Sequence, residues 1–172
     1  VGLPVNPPQS DVTNQKEYIS YRKMVGSDTE VKIVGGSPSG EEMNEFGVGF
    51  ELSSLGGLGG LEVVLGYGSG LEYKDVVLES RFTGFNKEVN YGTGYVRVSL
   101  SSKDAITEDV PGRVMVFKFK VTGASGDRKE TRELQLREVR LKGVYGDDFR
   151  WYGEVKRTDG VIEVCPAIKD MR

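Results

Sequence analysis

Hydrophobic and polar residues alternate along most of the chain between residues 30 and 165. In one segment the apolar residues Val96, Val98 and Leu100 are separated by the polar residues Arg97 and Ser99. A period of two is typical of a strand with one buried and one solvated face, because successive side chains point to opposite sides. The pattern therefore predicts strands and no long helix.

Nine segments show this alternation or a short apolar run, and turn residues separate most of them. They are EVKIV (30–34), FGVGFELSSL (46–55), LEVVLGY (61–67), YKDVVLES (73–80), FNKEVNY (85–91), YVRVSLSS (95–102), RVMVFKFKV (113–121), RELQLREVRLKG (132–143) and GVIEVCP (160–166). Strands at this spacing favour an all-β fold, an antiparallel sandwich or barrel with one face of each sheet in the core. At most, a short helical turn is expected near residues 104–108 or 147–152.

The two ends of the chain differ from this regular part. Residues 1–15 contain three of the six prolines and almost no hydrophobic period, which is typical of a linker. We therefore expect residues 1–29 to be a linker or an extended N-terminal arm, residues 30–165 to form the domain, and residues 166–172 to be a C-terminal tail.

Two glycine pairs, at residues 56–57 and 59–60, stand directly before the apolar segment LEVVLGY. A phosphate-binding loop would follow a strand and open a helix, whereas these glycines precede a strand. A flexible linker would lack the leucines that recur among the glycines. The pattern favours a sharp turn into a buried strand, since glycine tolerates positive φ.

Charge and composition exclude several functions. The net charge is −3, with acidic and basic residues interspersed, so nucleic acid is not an expected partner. The chain has no histidine and a single cysteine, Cys165, which excludes an internal disulfide, histidine-dependent catalytic triads and the common metal sites. No run of 18 apolar residues is present, so membrane insertion is not expected.

Two local biases in composition also bear on the interpretation. Residues 113–142 contain nine basic and four acidic residues, which fits either an acidic partner or an ordinary solvated strand face. Five asparagines and three glutamines stand beside abundant Lys, Arg and Glu, a balance that is common in heat-adapted proteins.

Six motifs follow one another along the domain: FGVGFELSSL, the glycine-rich entry to LEVVLGYGSGLEYKDVVLES, GTGYVRVSLSSKDAIT, FKFKVTGASG, TRELQLREVRL and DGVIEV. Each is common among β proteins, but their order and spacing resemble those of a cohesin module from about residue 30 to residue 164. The resemblance implies a nine-stranded jelly-roll sandwich without catalytic residues.

The resemblance also implies a partner. Cohesins bind dockerins, small helical modules that fold around calcium, and so assemble or anchor extracellular proteins, including enzymes that act on polysaccharides. It implies that this chain is secreted or on the cell surface. It further implies that the chain needs no cofactor or metal of its own, because calcium is expected only in the dockerin.

The alternation assigns the faces of the strands without reference to the family. In the segment after the glycine pairs, Leu61, Val63, Leu65 and Tyr67 are expected to face the core, and the residues between them, including Val64, to lie on an exposed strand face. The outward residues of the segment 95–101 are Tyr95, Arg97, Ser99 and Ser101. A phase shift between Arg137 and Glu138 predicts a β-bulge, and the residues exposed on this strand are Gln135, Arg140 and Lys142.

The resemblance places partner contacts on these outward positions. Glu62 matches an acidic recognition position that is usually Asp, Gly60 matches a position that is often Asn, and Asn90 matches a tyrosine contact. The full predicted partner-binding set is Gly60, Glu62, Val64, Gly66, Asn90, Arg97, Ser99, Ser101 and Arg140. The departures from the family pattern concern the identity of the partner more than the mode of binding.

Two other functions remain open at this stage. A carbohydrate-binding module has the same jelly-roll architecture and stacks exposed aromatic residues on sugar rings. Candidates for such a strip are Tyr145, Trp151 and Tyr152 before the last strand, and Tyr91 and Tyr95 near another turn. A β-sandwich glycoside hydrolase would need paired acids, and no acid of this chain stands in a recognisable motif.

Overall fold

The structure, a computed structural model, describes residues 29–108, 110–123, 129–145, 148–151 and 155–164. These residues form eleven strands and two short 3-10 helices. The strands are β1 (Glu30–Val34), β2 (Phe46–Leu52), β3 (Leu58–Tyr67), β4 (Leu71–Leu78), β5 (Asn86–Gly92), β6 (Tyr95–Ser101), β7 (Gly112–Val121), β8 (Glu130–Tyr145), β9 (Asp148–Trp151), β10 (Lys156–Thr158) and β11 (Gly160–Val164). The helices are Gly40–Asn44 and Ser80–Phe82.

The strands form two sheets that pack face to face. One sheet has the order β10-β1-β2-β7-β4, and the other has the order β11-β8-β3-β6-β5, with β9 paired to β8. Neighbouring strands are antiparallel except β1 and β10, which are parallel. The predicted all-β sandwich of mostly antiparallel strands, with jelly-roll topology, is confirmed.

The strand count differs from the nine predicted because two strands are too short to show a hydrophobic period. β9 has four residues and pairs with the end of β8, in the region where a helical turn was predicted. β10 has three residues, all exposed, and pairs with β1. Residues 104–108 form no helix either, and the short helices occur elsewhere. These elements depend on pairing with distant segments, which local alternation does not encode.

The core positions predicted for β3 are confirmed. Leu61, Val63, Leu65 and Tyr67 are all buried and belong to one cluster with side chains from both sheets, including Phe50 and Phe117. β3 lies between β6 and β8, so both of its edges are paired. Because alternate side chains must point away from this core, the direction of the outer face of β3 is fixed.

The turn predicted from the glycine pairs is also confirmed. Gly57 has a φ of +83°, a conformation that L side chains rarely adopt. Its N–H donates to the carbonyl oxygen of Ile106 at 2.7 Å, and the N–H of Leu58 donates to the carbonyl oxygen of Leu55 at 3.1 Å. Leu55 and Leu58 are buried in the core, so this segment anchors the entry to β3.

The predicted N-terminal arm, apart from Thr29, and the predicted C-terminal tail lie outside the described residues. Cys165 lies outside them as well. Among the helices that the structure does describe, none is long and apolar enough to cross a membrane.

Candidate partner-binding face

The nine predicted binding residues lie on one surface of the molecule. This surface, called here the outer face, is the side of strands β5, β6, β3 and β8 that points away from the core. Directly opposed residues in antiparallel strands point to the same side. Four rows cross the strands in that order: Asn86–Ser101–Gly60–Lys142, Glu88–Ser99–Glu62–Arg140, Asn90–Arg97–Val64–Glu138 and Gly92–Tyr95–Gly66–Gln135. Every predicted site residue belongs to one of these rows.

Val64 occupies the middle of the outer face. It is directed away from the core and does not belong to the cluster of core side chains. It is nevertheless only 9% exposed, so the expectation that it is solvent-exposed is wrong. Arg97 and Glu138 flank it on the two neighbouring strands, and Arg97 Nη2 lies 3.4 Å from Glu138 Oε1. The two long side chains span β3 and shield the valine from water.

A second ion pair occupies the neighbouring row. Arg140 Nη1 on β8 lies 3.5 Å from Glu62 Oε1 on β3, and both side chains are partly exposed. Ion pairs of this kind contribute little to folding, about 0–1 kcal/mol. They do fix the positions of charged groups, so the outer face presents an ordered pattern of charge.

A low region of the outer face lies beside these ion pairs. Gly60, Ser99 and Ser101 have small side chains or none, and they line an open depression of about 580 Å³. Charged residues, among them Glu88 and Lys142, also line it. An open depression with a polar lining can receive a protruding side chain of a partner.

The predicted β-bulge is confirmed in β8. Val64 pairs with Glu138 and Leu65 pairs with Leu136, so Arg137 is the extra residue between them. The N–H of Leu136 donates a hydrogen bond to Asp159 Oδ1 at 2.7 Å, which stabilises the strand at this irregularity. A β-carbon on Gly66 would collide with the guanidinium group of Arg137, so the arginine lies across Gly66 on the outer face.

Several residues of the outer face were not in the predicted set. Glu138, Lys142, Tyr95 and Gln135 share rows with predicted residues, and Arg137 lies over one of them. The alternation already placed Tyr95, Gln135 and Lys142 outward, and continuing it along β8 gives the same direction for Glu138. The phase shift in the sequence predicted where the bulge lies, but it did not predict that the side chain of Arg137 extends over Gly66.

Among the residues that the structure describes, two tyrosines that pack toward the core have raised pKa values. Burial raises the pKa of Tyr67, and burial raises the pKa of Tyr73 to about 12. Among the described residues, no group of three or more His, Cys, Asp or Glu side chains could hold a metal ion.

The described aromatic residues form no flat strip. Tyr91 is 65% exposed and Tyr95 is 37% exposed, but Tyr95 faces outward while Tyr91 points to the opposite side of its sheet. The ring of Tyr91 packs on Tyr73, with centroids 4.9 Å apart. The side chains of Tyr145 and Trp151 and the whole of Tyr152 lie outside the described residues.

Comparison with known proteins identifies relatives by structure and not by sequence. No family model matches the chain, and no curated protein matches it. A non-cellulosomal cohesin from the hyperthermophilic archaeon Archaeoglobus fulgidus superposes with a TM-score of 0.65 at 16% identity, covering 83% of this chain and 94% of that one.

Two further cohesin structures give similar values. The seventh ScaB type I cohesin from Pseudobacteroides cellulosolvens has a TM-score of 0.64 at 19% identity, over 84% of this chain and 97% of that one. A type I cohesin–dockerin complex from Clostridium thermocellum contains a chain with a TM-score of 0.64 at 15% identity, over 81% of this chain and 95% of that one. The predicted resemblance is confirmed at the level of architecture: this chain has the cohesin fold.

Proposed function

We propose that this chain is a non-catalytic interaction module that binds a dockerin through the outer face. The observation that carries the proposal is the arrangement of the nine predicted residues. They were selected from the sequence, and they form adjacent rows on four neighbouring strands. The fold adds support, because several chains of the same fold come from cohesin–dockerin complexes.

The chemistry of the outer face fits a protein partner. It has charged groups held in two ion pairs, with Val64 buried beneath one of them, and a depression lined by small residues. Ordered charges of this kind favour a partner of complementary charge, and the depression offers space for one of its side chains. No catalytic role is assigned to the face, since its acids stand in ion pairs with arginines or line the depression.

The proposal includes the location and the setting of the module. Dockerin partners imply a secreted or cell-surface protein, with calcium bound by the dockerin and not by this chain. The carbohydrate-binding alternative needs a flat row of exposed aromatic side chains, and the described tyrosines of β5 and β6 point to opposite sides. No specific observation favours that alternative.

The test is isothermal titration calorimetry against a panel of calcium-loaded dockerins, including dockerins from archaeal and non-cellulosomal proteins. We expect at least one dockerin to bind with a stoichiometry of one to one, and chelation of calcium in the dockerin to abolish the interaction. Incubation with insoluble cellulose or chitin should leave the protein in solution. Failure of every dockerin, or retention on a polysaccharide, would contradict the proposal.

A further inference from the structure

The β-bulge in β8 adds a charged side chain to the outer face. A regular strand would present one residue opposite each of Val64 and Leu65, whereas the bulge inserts Arg137 as an extra residue between Leu136 and Glu138. Bulges commonly redirect a side chain in this way at functional surfaces. Glu138 forms the ion pair with Arg97 above Val64, and Arg137 extends over Gly66 in the next row.

Arg137 differs from the other arginines of the outer face in its ion pairing. Arg97 and Arg140 are paired with Glu138 and Glu62, respectively. Arg137 is exposed, and it has no ion pair or side-chain hydrogen bond to any residue that the structure describes. Its position is set by the missing β-carbon of Gly66, because any larger residue there would occupy the space of the guanidinium group.

We propose that Arg137 is a specificity-determining residue that selects partners with a carboxylate opposite Gly66. The inference rests on the proposed function, since it concerns the same outer face. A protein that covers this end of the face removes water from the Arg137 guanidinium, and a buried charge without a counter-charge is costly. A carboxylate matches the planar guanidinium with two parallel hydrogen bonds, which makes it the best-suited counter-charge.

The geometry also explains why the selection acts through this residue. The two existing ion pairs satisfy the charges around Val64 and Glu62 within the chain, so a neutral partner surface is acceptable at the centre of the face. At Gly66 the neighbouring side chains in the row are Tyr95 and Gln135, and neither can neutralise the arginine. The requirement for an Asp or Glu therefore falls on the partner.

The experiment compares variants of this chain against the dockerin that binds the wild type in calorimetry. Arg137→Glu should reduce the affinity about tenfold or more, because it replaces an attraction by a repulsion. Arg137→Gln should reduce it less and should flatten the dependence of affinity on salt concentration. Arg157→Glu is the matched control, since this exposed residue of β10 lies in the other sheet and carries the same charge change.

Gly66→Ala is a second variant that keeps every charge and moves only the guanidinium. It should reduce the affinity severalfold in the wild-type chain and have no effect in the Arg137→Gln background. Replacing the partner's carboxylate with Lys should restore binding to Arg137→Glu. Melting curves of each variant check that the domain remains folded.

The outcomes separate the two proposals. If the dockerin binds Arg137→Glu as tightly as wild type while Val64→Asp abolishes binding, the role of Arg137 is wrong and the outer face stands as the binding site. If Val64→Asp and Arg137→Glu both bind at full strength, the interface lies elsewhere and both proposals are wrong. If no dockerin binds the wild type, the proposed function fails first, and the inference falls with it.

Discussion

Two adjacent valines of β3 offer a direct test of the face assignment on which the proposed function depends. Val63 is 0% exposed and lies among core side chains, paired across the sheet with Val98 and Val139. Val64 is directed to the opposite side, beneath Arg97 and Glu138. The same substitution, Val→Asp, therefore meets an apolar environment at one position and a charged one at the next.

The two variants should differ strongly in stability. Asp at position 63 would be buried without a hydrogen-bond partner, which costs several kcal/mol against a total stability of about 5–15 kcal/mol, so the domain should be largely unfolded. Asp at position 64 loses the burial of a valine, which is worth about 1.5–3 kcal/mol, but it gains Arg97 as a neighbour of opposite charge. We expect a net cost of about 1–2 kcal/mol, which corresponds to a decrease in Tm of about 2–8 °C for a chain of this length.

The effect of Val64→Asp on binding should exceed its effect on folding. The new carboxylate competes with Glu138 for Arg97 and places a charge at the centre of the proposed interface. Loss of a central contact typically costs about 2 kcal/mol or more, equivalent to about thirtyfold or more in Kd. Val64→Thr is the control, because it has nearly the same shape and no charge, and it should bind within a few-fold of wild type.

Circular dichroism melting curves and calorimetric titration with the dockerin measure the two effects independently. We expect three classes of protein: Val63→Asp unfolded, Val64→Asp folded but with strongly reduced affinity, and Val64→Thr folded and able to bind. Equal melting temperatures for the two Asp variants would refute the assignment of faces. A folded Val64→Asp variant with wild-type affinity would refute the location of the binding site.

The structure supports three further predictions. Asp159→Ala should lower the free energy of unfolding, measured in urea, by about 1–3 kcal/mol, because it leaves the Leu136 N–H at the bulge without its acceptor. Asp159→Asn keeps an acceptor oxygen and should lose less stability. An unchanged urea midpoint for Asp159→Ala would disprove this role. The pKa of Tyr73 is raised to about 12 from 10.0 by burial, so the folded state favours the neutral phenol. The stabilisation that comes from burying the neutral phenol of Tyr73 should be complete below about pH 10 and lost as the pH rises toward 12. Melting curves recorded at increasing pH should show a smaller loss of stability for Tyr73→Phe. The domain is expected to fold without a metal of its own, so EDTA should leave its Tm unchanged. A metal bound only to the folded state would stabilise it by mass action, so a decrease in Tm of many degrees on adding EDTA would show that the chain binds a metal itself.

The nine longer strands could be predicted because each carries enough alternation to identify its buried side. β3 is the clearest case, since leucines and a valine at every second position fix both its face and its place in the core. β9 and β10 could not be predicted, because three or four residues contain too little pattern and their pairing partners are distant in the chain. The glycine pairs predicted a turn before β3, but residue type did not identify which glycine has a positive φ, and of the four only Gly57 does.

The sequence predicted which side of each strand carries the candidate site, but not which of its residues are neighbours across the strands. Alternation identifies which side of a strand faces outward, so it grouped Glu62, Arg97 and Ser99 correctly on one face. It does not say which residues of neighbouring strands lie opposite each other, because register depends on turns and bulges elsewhere in the chain. Val64 was expected to be exposed for this reason: only the register that brings Arg97 and Glu138 to its two sides shows that their side chains cover it.

The extra residue of the bulge, Arg137, also depends on strand register, and it changes the charge of the outer face. Without a shift between Leu136 and Glu138, one side chain of β8 would lie beside Val64 and Gly66 could carry an ordinary side chain. With the shift, the outer face receives both a glutamate, which pairs with Arg97, and an arginine, which occupies the space above Gly66. The glycine and the bulge therefore depend on each other: the bulge supplies the arginine, and the glycine gives it room to lie across the sheet. A one-residue change in strand register thus sets the charge of the outer face.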